Sequence, residues 1–322
     1  MVTDQVYGRR KVSSLTSVRS GGSHRVDGEL MAVPNCSEGR DPDRIARLVD
    51  ATRVTGVRVL DVHSDADHHR TVITLAGSAS ALVDAGLALA ITCRDLIDLR
   101  AHDGVHPFVG ALDVLPFVAM RPADLPSAVR AATAAARRIG QEAGIPCVLY
   151  GAAAGEGRER PARLRASGLA ALAQAMSRGE VLPDAGPDAA HPSAGVTLVG
   201  ARGPLIAWNV WLPGATLAQA REVAAAVREG APGGGLPSVR ALGLMCSRTG
   251  LAQVSMNVED YRRTPPLAVV GRVRQEAAAR GLVTGASELV GLIPRAALAG
   301  ASPEELGLAV LRPEQVIESM ED

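Results

Sequence analysis

Between Ala101 and Asp113 the chain reads AHDGVHPFVGALD, two histidines and two aspartates set among glycine and proline between apolar segments. Histidine titrates near neutrality and can take and return a proton at working pH, which is what general acid–base catalysis needs. Pro107 pushes His106 out of the helical region, so the segment reads as a shaped loop in which His102 and His106 are the candidate proton carriers. Asp61, Asp103 and Asp113 are the carboxylates available to orient such a ring. A second cluster, His63, Asp65, Asp67, His68, His69 and Arg70, joins two apolar runs. His and Asp at short spacing can chelate a metal, yet adjacent His68 and His69 point to opposite faces of an extended chain. A polar or substrate-binding loop is the better reading, and no metal is expected. In a third stretch, LPDAGPDAAHPSAG, Gly186, Pro187 and Gly195 would let backbone approach a flat ligand.

Other chemistries lack their residues. No glycine-rich dinucleotide fingerprint follows a first strand, and neither a Walker lysine motif nor a G-x-S-x-G elbow is present. Lys+Arg and Asp+Glu balance at 34 each, with no basic stretch interleaved with aromatics, which argues against nucleic acid. Cys36, Cys93, Cys147 and Cys246 lie far apart and read as reduced thiols. No apolar run is long enough for a membrane span. The first thirty residues, basic and rich in Ser and Gly, read as a disordered leader with no apolar core of a signal peptide, so a cytoplasmic protein is expected.

The elements that would position these residues follow from their spacing. Leu30–Val33 reads as a strand, Asp41-Pro42 as a helix start, and Val57–Val62 and Arg70–Ala76 as strands. Ser78 caps a helix expected to run to about Arg100. Val114–Met120 is a strand whose Pro116 suggests an edge. A helix over Pro122–Ala143, a strand at Pro146–Tyr150 and a helix over Leu164–Arg178 follow. The pattern then restarts: strand Pro204–Leu212, a helix from Thr216, strands Val239–Ser247 and Leu251–Val258, helix Leu267–Arg280 and strand Leu282–Leu289. Two β-α-β-β-α-β runs imply an α/β (α+β) chain of two ferredoxin-like subdomains with a ligand cleft between them. The expected divisions are a leader over 1–29, subdomains over 30–201 and 202–301, and a tail over 302–322.

The segments VPNCSEG, LDVHSDADHHRTVIT, DLRAHDGVHPFVGALDVLPFV, LVGARGPLIAWNV, LAQVSMNVED and SELVGLIP resemble, in order and spacing, the formiminotransferase family. That resemblance implies transfer of a formimino group from N-formimidoyl-L-glutamate to N5 of tetrahydrofolate, a step of histidine degradation, in a homodimer. It implies tetrahydrofolate as co-substrate and His106 as the catalytic histidine. It further implies folate contacts along Gly186, Pro187, Asp188, Ala189, Ala190, His191, Pro192, Ser193, Ala194 and Gly195, facing the His106 loop across the cleft. Chemistry and matching position add Asp61, His63, Arg70 and Arg202 as substrate-binding residues, an arginine holding a carboxylate through paired hydrogen bonds. Relative to the animal bifunctional members, His63 replaces an aspartate, His69 an asparagine and Ala194 a tryptophan. His63 and Ala194 motivate a second reading, a specialised donor or acceptor; a third, a folate-binding protein without catalysis, has the intact His106 and its neighbours against it.

Overall fold

The computed structural model describes residues 24–26, 29–155, 164–165 and 168–318. It divides into two compact units, Val26–Gly203 and Pro204–Asp322 with the end of the leader. Most of the leader lies outside the described residues. Its end does not: β1 (His24–Arg25) pairs in parallel with β14 (Val316–Glu318) in the tail, which also pairs with β13 (Ile293–Pro294).

In the first unit, β2 (Leu30–Ala32) and β3 (Asn35–Cys36) form one interrupted strand. Helix α1 (Pro42–Ala51) starts where the Asp41 carboxylate accepts from the Asp43 and Arg44 amides at 3.0 and 3.1 Å. Then come β4 (Val57–Asp65), β5 (Arg70–Gly77), α2 (Ala79–Leu96) and β6 (Leu112–Val118). Across the sheet these strands run β4, β5, β2/β3, β6. The second, third, first and fourth strands of the β-α-β-β-α-β run thus lie side by side. Helix α3 (Leu125–Arg138), β7 (Cys147–Gly151), α4 (Gly168–Ser177) and β8 (Thr197–Arg202) extend it, with β8 parallel to both β6 and β7.

Two expectations change here. Helix α2 stops at Leu96: Ile97 is extended, and Asp98 instead accepts from the Arg100 amide at 3.0 Å to cap a short 3-10 turn. Pro116 lies on β6 between β2/β3 and β8, not at an edge. Its carbonyl accepts from the Val33 amide at 3.1 Å, and its missing N–H faces the break between β2 and β3. The Val33 carbonyl is satisfied instead by the Asn35 side-chain amide at 2.8 Å.

One face of this sheet packs on α1, α2 and α3 through Ile73, Leu75, Leu115, Phe117, Val199 and Ala201. Alternation sends Val72, Thr74, Val114 and Leu198 to the other face. The register aligns Asp61 with Thr74, His63 with Val72, Val72 with Asn35, Asn35 with Val114, and Val118 with Arg202. Asp61, His63, Arg70 and Arg202 therefore share the face turned away from those three helices. Part of that face is covered by α4, whose Leu172 and Met176 pack on Val148, Tyr150 and Leu198.

The second unit contains β9 (Ile206–Leu212), α5 (Leu217–Val227), β10 (Val239–Cys246), β11 (Leu251–Val258), α6 (Pro266–Ala278) and β12 (Ser287–Val290). Its strands run β10, β11, β9, β12, the same order by rank as in the first unit. Strand β12 is shorter than the sequence suggests. Leu282 is spent closing α6, its amide returning to Ala277 at 3.0 Å past Gly281, which takes the left-handed φ of 69°. The short helix α7 (Arg295–Leu298) follows β13. Among the described residues no helix is long and apolar enough to cross a membrane.

Candidate active site

Two loops of the first unit are bound together around His106. The turn from Ala66 to His69 lies against Ala101–Pro107, where the Val105 amide donates to Asp67 O at 3.1 Å. The His68 and His106 rings are 5.7 Å apart, and His69 stacks on His102 at 4.4 Å. His102 in turn meets Phe108 edge-on at 4.3 Å. His69 takes a left-handed φ of 50°, which turns the neighbouring rings toward different partners. Gly104 is where the loops touch; a Cβ there would lie 2.4 Å from His68 O. Among the described residues no three His, Cys, Asp or Glu side chains gather as for a metal.

His106 Nδ1 lies 2.8 Å from the Pro107 carbonyl, which can only accept. The proton therefore belongs on Nδ1, and the neutral ring presents Nε2 as the base. The ring nitrogen Nδ1 is met by a backbone carbonyl, and of the candidate orienting carboxylates Asp61 stands on β4 opposite Thr74. Burial, then the guanidiniums of Arg70 and Arg165 and the His68 ring, pulls His106 well below the ordinary histidine range. The Pro107 bond opposes this only in part. At neutral pH the ring is an uncharged base. Burial and the neighbouring His69 likewise pull His102 down to about 4.

Asp113, fully buried, holds the floor of the site. Its Oδ1 accepts from the Val109 amide at 2.8 Å, and its Oδ2 from Arg70 Nη1 at 2.7 Å and Arg165 Nη1 at 3.0 Å. Burial pushes this carboxyl up, but the two guanidiniums and the Val109 bond prevail and hold it below the usual aspartate range. Arg70 also donates through Nε to Asn35 Oδ1 at 2.9 Å. The sequence reading offered Arg70 as a carboxylate holder. Its side chain, 9% exposed, is instead engaged by Asp113 and Asn35 and ties β3, β5 and β6 together. On β8, Gly200 leaves room for the Tyr150 ring, which a Cβ would meet at 2.5 Å. Burial raises the Tyr150 hydroxyl, while its bond with Arg202 and the charge of Arg165 oppose the shift.

Arg165 and Tyr150 are the site residues that sequence reasoning missed. Arg165 stands in a run with Arg158, Arg160 and Arg163, and nothing in the sequence separates it from them. Tyr150 ends an apolar strand and reads as core.

The Gly186–Gly195 segment belongs to the same unit as His106 and is bonded to the end of its loop, not set across a cleft from it. Gly195 bridges Gly110, and the Ala111 amide donates to Ala194 O at 2.9 Å. Gly186, Pro187, Asp188, Ala189 and Pro192 are exposed, and Ala190, His191 and Ser193 half-buried. Ala194 is only 1% exposed, within the core beside α2, so its side chain cannot face a ligand. Gly195 is equally enclosed: a Cβ there would lie 2.2 Å from Val109 O.

The N-terminal subdomain model of the formiminotransferase domain matches residues 29–202, and the formiminotransferase domain model matches residues 207–304. The chain belongs to the formiminotransferase family. Glutamate formimidoyltransferase of Thermoplasma acidophilum is 40% identical over 277 residues, covering 83% of this chain and 88% of that protein. Its namesake from Streptococcus pyogenes serotype M1 is 35% identical over 268 residues, covering 83% and 89%. Formimidoyltransferase-cyclodeaminase of Sus scrofa is 39% identical over 276 residues, and there the match spans 84% of this chain but 51% of the relative. The residues around His106 all fall within the span of the N-terminal formiminotransferase match.

Proposed function

We propose that this protein is a glutamate formimidoyltransferase, moving the formimino group of N-formimidoyl-L-glutamate to N5 of tetrahydrofolate and releasing glutamate. The single observation that carries the mechanism is the His106 ring fixed through Nδ1 by the Pro107 carbonyl, with Nε2 left as the base; desolvation and two nearby guanidiniums lower its affinity for a proton. N5 attacks the formimino carbon, and His106 Nε2 takes the proton from N5 as the tetrahedral centre forms. The imidazolium then gives its proton to the glutamate nitrogen as the carbon–nitrogen bond breaks, yielding 5-formimidoyltetrahydrofolate. The lowered affinity of His106 for its proton makes the imidazolium a stronger acid, which helps this second half.

The relatives named glutamate formimidoyltransferase, matched over nearly nine-tenths of their own length, favour this donor and acceptor over a specialised pair or a non-catalytic binder. Tetrahydrofolate is then the co-substrate. The exposed part of the folate segment, Gly186–Ala189 with Pro192, is its contact. Work in histidine degradation as a cytoplasmic homodimer completes the proposal by family likeness. The test is incubation with N-formimidoyl-L-glutamate and tetrahydrofolate, following the absorbance of the folate product. Stoichiometric formation of glutamate and 5-formimidoyltetrahydrofolate is expected; tight folate binding without turnover would contradict it.

A further inference from the structure

Two guanidiniums, Arg70 and Arg165, stand near His106 and share one buried carboxylate, Asp113. Two positive charges on one carboxylate, largely withdrawn from water, are costly unless a second anion completes them. The two arginines are not equivalent. Arg70 is held at Nε by Asn35 and at Nη1 by Asp113. Arg165, whose side chain is 13% exposed, donates only Nη1, to Asp113, among the described residues. The rest of its planar donor edge has the geometry that receives a carboxylate through two parallel bonds.

We infer that Arg165 binds a carboxylate of the donor, its Nη1 anchored on Asp113, which Arg70 also holds, an assignment that rests on the formimidoyltransferase reading.

The experiment compares wild type, Arg165→Gln and Arg165→Lys in steady-state transfer. The donors are N-formimidoyl-L-glutamate and its α-amide and γ-amide. Arg165→Gln is expected to raise KM for the intact donor by about 10- to 100-fold, the loss of a charge-assisted pair, with kcat held within about threefold. Tetrahydrofolate affinity stays at the wild-type value, and Arg165→Lys falls between. One of the two amides should carry a similar penalty in wild type and none in Arg165→Gln. An unchanged KM, a loss confined to kcat, or equal amide penalties in wild type and Arg165→Gln would overturn the assignment. Should Arg165→Gln fail to fold by circular dichroism, Arg165→Lys carries the same comparison. Calorimetric titration with glutarate separates this inference from the reaction itself. Binding by wild type that Arg165→Gln loses keeps Arg165 as a carboxylate site even if wild type turns nothing over. Absence of glutarate binding, together with absence of turnover, refutes both.

Discussion

The two units share one strand order and differ in what they bury. In the first, Glu38, Asp67, Arg70 and Asp113 are buried charged residues, beside His68. In the second, the buried polar side chains among the described residues are Asn209, Ser238, Gln253, Thr264, Ser287 and Gln315, none of them charged. The same topology therefore closes over an ordinary amide-and-hydroxyl interior in one unit and over a charged network in the other. Buried ionic groups are a poor route to stability, so their concentration in one unit points to chemistry there. The fold supplies the platform; the charged network supplies the site.

Removing charge should cost far more in the first unit than removing a polar group in the second. Asp113→Ala leaves Arg70 and Arg165 facing each other without their shared carboxylate, and a loss of about 3–5 kcal/mol is expected in urea denaturation. Asn209→Ala, which deletes the bond from Nδ2 to Glu288 at 3.2 Å, should cost about 1 kcal/mol. Equal costs would erase the distinction between the units. Gly104→Ala drives a Cβ against the His68 carbonyl and should cost about 1–3 kcal/mol by overpacking, read as a lowered Tm. Unchanged stability would mean the two histidine loops are not held as described.

A smaller effect is expected from His102. Its folded value of about 4 lies below the unfolded one near 6.5, so the unfolded chain binds the extra proton between these values. Stability from this group is complete above pH 6.5 and is lost as pH falls toward 4. His102→Gln should flatten that part of the profile of stability against pH; an unaltered slope would remove His102 as its source.

Much of the scaffold is legible from local rules. Asp41-Pro42 and Ser78 set helix starts, Gly281 ends α6, and the doubled strand pattern gives both units their order. His106 is legible because Pro107 and the flanking glycines mark a shaped loop, and the quoted motifs place the family. What stays hidden depends on contacts between distant segments. Nothing local tells that the Pro107 carbonyl meets His106 Nδ1, or that Asp113 binds two arginines from separate elements. Pro116 misleads because the break between β2 and β3, which accommodates its missing donor, is visible only once the strands are paired. Ala194 misleads because a loop composition does not reveal that one of its residues is core.

Replacing His106, the proton carrier, by alanine is the most direct test. His106→Ala is expected to lower kcat/KM for formimino transfer by about 10²- to 10⁴-fold, with tetrahydrofolate affinity and Tm near the wild-type values. Transfer at the wild-type rate in a folded, folate-binding His106→Ala protein would contradict it.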